Sequence, residues 1–294
     1  MKNTETAEPK DWVVTRSNAL IESRYCLSVM EQRIVAFAIS KLSPDDEDFP
    51  PCRFKASEIA ALVSDGKPSS FYERIDKAAK GLLGLKSAIQ EPDGTLWVNW
   101  FTAVKYYNGT GEVDVRFSPE LRPYLLQLKE RFTSHNLECI VRLQSRYSVR
   151  IYELLKQYED VGKRRFELDD LRDKLALKKT QHARWQEFRR NVLEPAIKEL
   201  SEKTDLQVSY KTRKKGRRIW FIDFVIKPND DKKLGKKEID LLKGEASKCL
   251  ARNPGCTTKF STHKDNLKIA CHWCARFKTQ RAEAAGQIRL PIAD

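Results

Sequence analysis

The chain has 294 residues, of which 40% are hydrophobic and 33% charged, and this length suits about two globular domains. No apolar run approaches the roughly 20 residues of a membrane span, and the first residues lack the charged-then-apolar pattern of a signal peptide. The formal net charge of +14 favours a polyanionic partner, for which DNA, RNA, a ribosome and an acidic membrane are all candidates on charge alone. We therefore expect a cytoplasmic protein without membrane-spanning segments.

The first half of the chain has the pattern of several helices followed by strands. Ser28-Val-Met-Glu31 is a capping box, in which Ser28 accepts from a backbone N–H near Glu31, and it predicts a helix that continues to Leu42. The further elements expected are helices at 57–62, 69–83 and 119–128 and strands at 85–90, 95–107 and 112–117. The turn Pro92-Asp93-Gly94 joins the first two of these strands.

The second half centres on an amphipathic helix at residues 180–200, whose apolar positions recur at three- and four-residue steps and which Thr180 is expected to cap. A shorter helix precedes it at 168–175, and strand-like runs follow at 206–210 and 219–226. The segment KTRKKGRR (211–218) between these runs has six basic residues in eight. Helix, turn, long helix and a hairpin with a cationic tip are the order of a winged helix-turn-helix domain. In such a domain the second helix lies in the DNA major groove and the hairpin contacts flanking phosphates.

The second half repeats the pattern of the first half at an offset of roughly 112–117 residues. Four features correspond in order: Arg33-Ile34 with Arg150-Ile151, Phe54 with Phe166, the stripe Tyr72, Ile75 and Ala79 with Trp185, Phe188 and Val192, and the strands around the Pro92-Asp93-Gly94 turn with those around Lys214-Lys215-Gly216. The predicted fold class is therefore α+β, with two tandem winged-helix domains related by internal duplication and a basic C-terminal tail. The predicted boundaries are a flexible N-terminus at 1–14, a first winged helix at 15–132, a second at 133–228 and the tail at 229–294.

This pattern, over about residues 15–228, resembles the iteron-binding replication initiators, the Rep proteins of theta-replicating plasmids. The second domain carries the resemblance in RYSVRIYELLKQY (146–158), RRFELDDLRDKL (164–175), WQEFRRNVLEPAIKEL (185–200) and TDLQVSYKTRKKGRRIWFIDFVI (204–226). In the first domain, NALIESRYCLSVMEQRIVAFAISKL (18–42) and FYERIDKAAKGLL (71–83) fit the same family.

The resemblance implies a DNA-binding function. Family members bind short direct repeats in the double-stranded DNA of a plasmid origin, with the second domain contacting bases and the first mainly clamping the backbone. Monomers open the origin and recruit the host initiator and the replicative helicase, whereas homodimers, formed through the first domain, usually repress the initiator's own gene. The implied partners are therefore DNA, a second copy of the chain and these host proteins, with no membrane and no required cofactor.

The candidate base-contacting residues lie at the start and on the polar face of the helix at 180–200, because a recognition helix presents its N-terminal side chains to base edges. They are Lys178, Lys179, Thr180, Gln181, Arg184, Arg189, Arg190 and Asn191. Arg190 is the leading candidate since it points away from the apolar stripe. Arg189 lies nearer that stripe, and pairing with Asp169 or Glu187 is the alternative for it. An ordinary solvated helix face is the alternative for the whole set.

Two further groups of basic residues are candidates for contacts with phosphate. In the second domain these are the wing residues Arg213, Lys214, Lys215, Arg217 and Arg218, for which a charged tip that only aids solubility is the alternative. In the first domain the corresponding set is Ser69, Ser70, Arg74, Lys77 and Lys80. The turn in residues 90–94 of that domain is acidic and would be repelled by phosphate. We therefore expect the first domain to contact DNA less, or to serve mainly in dimer contacts.

The seven cysteines are too few and too scattered for a disulfide framework. Cys26, Cys52 and Cys139 each lie beside apolar residues, which predicts buried free thiols. The tail contains Cys249, Cys256, Cys271 and Cys274, which are a candidate set of four thiolate ligands for a structural zinc ion. Their spacing matches no standard zinc finger well, so that reduced free thiols and redox sensing stay open as alternatives.

An enzymatic function is not expected from these motifs. The sequence contains no P-loop for nucleotide hydrolysis and no paired-histidine metal motif of the kind that a nicking initiator needs. The main alternative function is a winged-helix transcriptional repressor without a role in replication. A structural chromosome-binding protein is the third, and it would bind DNA without sequence preference.

Overall fold

The computed structural model describes residues 12–229, apart from 44–45, 63–67, 85 and 108–109, together with the backbone of three short strands nearer the C-terminus. Residues 13–229 cluster as one unit. Within the described residues no helix is both long and apolar enough to cross a membrane.

The helices of the first half follow the expected pattern. They are α1 (Asn18–Glu22), α2 (Val29–Ile39), α3 (Ala56–Leu62) and α4 (Pro68–Leu82). The capping box at the start of α2 is confirmed, because the Ser28 hydroxyl accepts from the Glu31 backbone N–H and the Glu31 carboxylate accepts from the Ser28 N–H over 2.6 Å. Helix α2 ends at Ile39, three residues before the predicted end at Leu42.

The strands of the first half form two separate sheets. Strands β2 (Cys52–Lys55), β5 (Phe101–Tyr107) and β6 (Glu112–Phe117) form one sheet in the order β2-β6-β5, and β3 (Lys86–Glu91) pairs only with β4 (Gly94–Asn99) in the other. The prediction of a single strand at 95–107 is wrong. The chain breaks at Trp100, whose side chain is buried and whose carbonyl oxygen accepts from the Ser118 N–H. The chain therefore passes from one sheet to the other at that residue.

The predicted helix at 119–128 is also shorter than expected. A single 3-10 turn at Pro119–Leu121 leads into α5 (Arg122–Leu125), and the helix stops there. Gln127 has a φ of 52°, a left-handed conformation that a right-handed helix cannot continue through. Strand β7 (Phe132–Asn136) follows and pairs with β1 (Val13–Ser17), so that Val13 and Val14 belong to this sheet. The predicted domain boundary at 132–133 falls inside β7.

The second half begins with α6 (Leu137–Arg142) and α7 (Arg146–Lys156), followed by β8 (Lys163–Glu167) and α8 (Leu168–Lys174). The next helical stretch, residues 185–203, is called the long helix below. It consists of α9 (Trp185–Phe188), a π-helical segment (Arg189–Leu193) and α10 (Glu194–Lys203). Strands β9 (Leu206–Lys215) and β10 (Arg218–Pro228) complete a sheet in the order β8-β10-β9.

The two halves are therefore both winged helices with the same strand order, as the sequence predicts. In each, the strand before the helix pair lies beside the last strand of the domain: β2 beside β6, and β8 beside β10. This order makes the β5–β6 hairpin, and not the β3–β4 hairpin, the counterpart of the basic β9–β10 hairpin. The predicted equivalence of the Pro92-Asp93-Gly94 turn with the basic wing is thus wrong, because β3–β4 is an additional hairpin between α4 and β5.

Helix α7 lies in the interior between the two halves, with residues 148–155 all buried. Its Arg150 donates to the carbonyl oxygens of Ile21 over 2.9 Å and Ser23 over 3.0 Å. Arg33, its counterpart in α2, is also buried and donates to the carbonyl oxygen of Leu143 over 2.9 Å. These buried guanidiniums tie each long helix to neighbouring backbone at the junction of the two domains.

The tail is described only as backbone. Strands β11 (Lys259–Phe260), β12 (Leu267–Ala270) and β13 (Ala285–Arg289) form a sheet in the order β11-β13-β12.

Candidate nucleic-acid interface

The long helix begins at Trp185, five residues later than predicted. Its N-cap is Arg184, whose backbone is extended with a φ of −80° and a ψ of 142°, so that Thr180 is not the cap. The start is delayed because His182 has a φ of 49°, which is left-handed and incompatible with a continuous helix. Lys178, Lys179, Thr180 and Gln181 accordingly lie in the turn before the helix.

This turn, residues 178–182, is held by hydrogen bonds from two other helices. Arg172 of α8 donates to the carbonyl oxygens of His182 over 2.7 Å and Gln181 over 2.8 Å. The Gln181 side-chain amide in turn donates to the hydroxyl of Tyr147 in α7 over 2.8 Å. Lys178, Lys179 and Thr180 are exposed, whereas Gln181 is only partly exposed. The turn therefore presents its first three side chains to solvent and directs Gln181 inward.

The middle of the long helix is widened into a π-helical turn at Arg189–Leu193. Pro195 follows this turn, and because proline has no N–H and its ring clashes with the carbonyl four residues earlier, a regular α-helix is disfavoured there. Arg189, Arg190 and Asn191 are all exposed, while Val192 and Leu193 are buried. The widened turn thus places three consecutive predicted DNA-contacting residues on the outer surface.

Two details of this surface differ from the sequence-based interpretation. Arg189 is exposed and its Nε lies 3.1 Å from a carboxylate oxygen of Glu194, so the predicted pairing with Asp169 or Glu187 is wrong. Helical spacing placed Arg189 near the apolar stripe, but the π turn changes the angle between successive residues. Asn191 lies 3.4 Å, amide nitrogen to ring nitrogen, from His182 in the preceding turn.

The β9–β10 hairpin is the wing of the second domain. Gly216 at its tip has a φ of 63°, a conformation that glycine adopts without strain, and this allows the tight reversal between Lys215 and Arg218. Residues 211–218 are all exposed, which includes all five predicted wing residues. The Lys215 ammonium lies 5.0 Å from the centroid of the Trp220 ring. The wing therefore presents a dense group of cations to solvent.

Carboxylates hold some of these wing cations in place. Asp223 of β10 accepts from Nε of Arg213 and from Nε of Arg165, each over 2.5 Å. These two hydrogen bonds, from Arg165 first and then Arg213, hold the pKa of Asp223 below its ordinary value. Arg218 lies 3.2 Å from Asp169 at the start of α8. Arg213 and Arg218 are consequently oriented by acids within the fold, although both remain exposed.

In the first domain, the predicted set lies on α4. Arg74, Lys77 and Lys80 are exposed on the side opposite the buried Ile75 and Ala79, and the ammonium of Lys80 lies 2.7 Å from Asp76. The side chains of Ser69 and Ser70 lie outside the described residues. In the acidic turn, Glu91 accepts a hydrogen bond from the hydroxyl of Tyr124.

The cysteines divide into described and undescribed groups. Cys52 and Cys139 are buried free thiols as predicted, and burial raises the pKa of each to about 12. Cys26 is exposed, so its predicted burial is wrong; its sulfur lies 2.9 Å from the Arg146 guanidinium at the protein surface. The four tail cysteines at 249, 256, 271 and 274 lie outside the described residues, and the zinc site there stays a prediction. Within the described part of the chain no group of three or more His, Cys, Asp or Glu could hold a metal ion.

Comparison with known proteins agrees with this architecture. The family model described as "Initiator Replication protein, WH1" matches residues 13–156, and the one described as "Initiator Rep protein, WH2" matches residues 167–226. The chain belongs to the family of initiator replication proteins.

Individual relatives of this family member are distant. A replication initiation protein of Escherichia coli is 29% identical over 212 residues, which are 67% of this chain and 64% of that protein. The PI protein of E. coli is 24% identical over 221 residues, covering 63% of this chain and 72% of that protein. The crystal structure of Pi initiator protein in complex with iteron DNA aligns with a TM-score of 0.64 at 22% identity, over 74% of this chain and 97% of that chain. The chain thus spans less than two thirds of the first of these relatives, and the structural likeness establishes the fold.

Sequence reasoning missed the residues of this initiator that orient the predicted contacts. They are Tyr147, Arg165, Arg172 and Asp223. The alternation along β8 and β10 marks Arg165 and Asp223 as outward-facing, but their pairing depends on the cross-strand register. The hydrogen bonds of Arg172 and Tyr147 depend on the path of the turn, for which the sequence carried no signal.

Proposed function

We propose that this protein is a plasmid replication initiator that binds direct repeats, the iterons, in the double-stranded DNA of an origin. The observation that carries the proposal is the match of the two initiator-family models to both winged-helix domains of the chain. The relative that was crystallised with iteron DNA has the same fold over most of its length, which supports this assignment.

The proposed mechanism assigns base contact to the long helix. Arg190 and Asn191 are exposed on it, and arginine and asparagine can make bidentate hydrogen bonds with guanine and adenine in the major groove. The phosphates beside the groove would be contacted by the wing, where Lys214, Lys215 and Arg217 are exposed. Such contacts release counterions, so the affinity they supply falls steeply with salt.

The first domain has a different part in the proposal. Its α4 has exposed Arg74 and Lys77, which suit backbone contact, while the acidic β3–β4 turn does not. Two unlike winged helices in one chain favour one longer asymmetric site over a palindrome. This feature favours a direct-repeat initiator over a simple repressor, since a repressor more often uses a single such domain in a symmetric dimer.

The family resemblance supports several finer proposals. The monomer would open the origin and recruit the host initiator and the replicative helicase, and a homodimer formed through the first domain would repress the protein's own gene. All of these activities rest on binding, without catalysis, and take place in the cytoplasm.

The test is a binding titration of the full chain at two salt concentrations. One duplex carries the direct repeats found beside the gene, and a second carries the same bases in scrambled order. We expect a preference of about a thousandfold or more for the repeats, with a salt dependence on both duplexes. Comparable affinity for both would leave a DNA-coating protein and overturn the proposal. A replication assay separates initiator from repressor: a plasmid that carries only the repeats should replicate when this protein is supplied in trans.

A further inference from the structure

We propose that the turn at residues 178–182 is a positioned part of the base-reading surface, and that Arg172 and Tyr147 are the residues that position it. The proposal rests on the function proposed above and deepens it. Neither residue lies on the long helix or the wing, and both act through the backbone or side chain of Gln181.

Arg172 joins three parts of the second domain. The guanidinium has a planar fork of N–H donors, and here two of its nitrogens donate to the successive carbonyl oxygens of Gln181 and His182. Its Cζ atom also lies 5.5 Å from the centroid of the Phe188 ring, which is fully buried in the first turn of the long helix. Arg172 thereby fixes the turn relative to both α8 and the start of the long helix.

The conformation of the turn requires such support. His182 has a φ of 49°, which side chains with a Cβ seldom adopt, and this conformation persists only where the surroundings impose it. The two carbonyl groups that Arg172 binds are that of His182 itself and that of the residue before it. Loss of the fork would therefore release the strained residue.

Tyr147 supplies the second attachment. Its hydroxyl accepts from the Gln181 amide over 2.8 Å and from the Arg146 guanidinium over 2.9 Å. Gln181 was predicted to contact bases, but its amide is engaged within the fold. We assign Gln181 a supporting role, in which it anchors the turn to α7.

The exposed residues of the turn are then the functional ones. Lys178, Lys179 and Thr180 are presented on a backbone held at two points, next to the exposed Arg190 face through the Asn191–His182 contact. Reading a base edge needs side chains held within a fraction of an ångström, whereas non-specific binding depends mainly on the number of charges. A loosened turn should therefore weaken cognate binding and leave non-specific binding unchanged.

The experiment uses substitutions that keep the net charge. Arg172→Lys keeps the cation but loses the planar fork, and Tyr147→Phe removes only the hydroxyl. The matched controls are Arg142→Lys, on the exposed side of α6, and Tyr106→Phe, on β5 of the first domain. Each full-length variant is titrated with the repeat duplex and the scrambled duplex, and amide hydrogen exchange is followed over residues 178–184.

We expect the two test variants to lose about tenfold in affinity for the repeats, with no loss on scrambled DNA, and to exchange the amides of the turn faster. The controls should match the unmodified protein in both measurements. Equal losses on both duplexes, or unchanged binding and exchange, would overturn the proposal. If Arg172→Lys does not fold, Tyr147→Phe decides. Absence of any preference in the unmodified protein would instead refute the proposed function, and the amide exchange would then show separately whether the turn is held by these residues.

Discussion

The guanidinium of Arg16 in β1 lies 2.6 Å from a carboxylate oxygen of Glu153 in α7, and both side chains are buried although 137 residues separate them. The hydroxyl of Tyr25 and the guanidinium of Arg150 donate to the other carboxylate oxygen over 2.7 Å and 2.8 Å. Burial acts to raise the pKa of Glu153, but Arg16 and Arg150 outweigh it and hold that pKa below its ordinary value. One carboxylate thus joins β1, the segment after α1, and α7 at the centre of the protein.

Glu153→Gln should destabilise the protein strongly. The amide leaves two buried guanidiniums without a compensating charge, and breaking a buried pair costs about 3–5 kcal/mol in the free energy of unfolding. Denaturant titration of the full chain measures this change. Glu138→Gln, which breaks the exposed pair with Arg142, should cost about 1 kcal/mol or less. Similar losses for the two variants would show that the buried pair is not a principal support.

Arg190→Ala should reduce discrimination between repeat and scrambled DNA. A bidentate contact with a base contributes about 1–3 kcal/mol of discrimination, and the loss should fall on the repeat duplex. Competitive titration of the two duplexes measures it. Lys198→Ala, at an exposed position further along the long helix, is the control and should keep the discrimination. An equal loss of affinity on both duplexes would contradict base contact by Arg190.

Replacing Lys214 and Lys215 together by Gln should weaken binding to both duplexes. Removing one lysine that binds a phosphate should lower the slope of log affinity against log salt by about one. The measurement is a series of titrations across salt concentrations. A variant with Gln at Lys129 and Lys227, which are exposed away from the wing tip, has the same net charge and should retain the slope. If both variants lower the slope alike, the wing is not a distinct phosphate-binding site.

His135 should make stability depend on pH in mildly acidic solution. Burial lowers the pKa of His135 to about 4, Arg16 adds to the lowering, and the opposing effect of Glu153 is smaller. The unfolded chain, with a histidine pKa of about 6.5, binds the proton more readily than the folded protein does. The free energy of unfolding should therefore fall by up to about 3 kcal/mol as the pH drops from about 6.5 to about 4.

His135→Phe provides the test of this dependence. The ring would keep its edge contact with Tyr152, whose centroid lies 5.5 Å away. Unfolding titrations at several pH values between about 4 and 6.5 should give a flatter profile for the variant than for the unmodified protein. The buried carboxylates, with pKa values below their ordinary range, contribute stability that is lost only at lower pH. An unchanged profile would place the dependence on another group.

Local signals predicted the elements well where one helix or strand decides its own pattern. The capping box of Ser28 and Glu31 set the start of α2, and the apolar stripe with Ile75 and Ala79 identified the buried face of α4. The basic wing was recognisable because it combines a glycine turn with strands of alternating burial. These features depend on residues a few positions apart, so the sequence contains their whole cause.

The tertiary structure decided the features that depend on distant partners. Both hairpins of the first domain have plausible turns, and only the pairing of β2 with β6 shows which one corresponds to the wing. The start of the long helix moved from Thr180 to Trp185 because Arg172 and Tyr147 hold the preceding turn in a conformation that helical propensity does not favour. The amino-acid sequence therefore determined two winged helices and a cationic wing, while long-range hydrogen bonds decided which side chains reach the surface that would meet DNA.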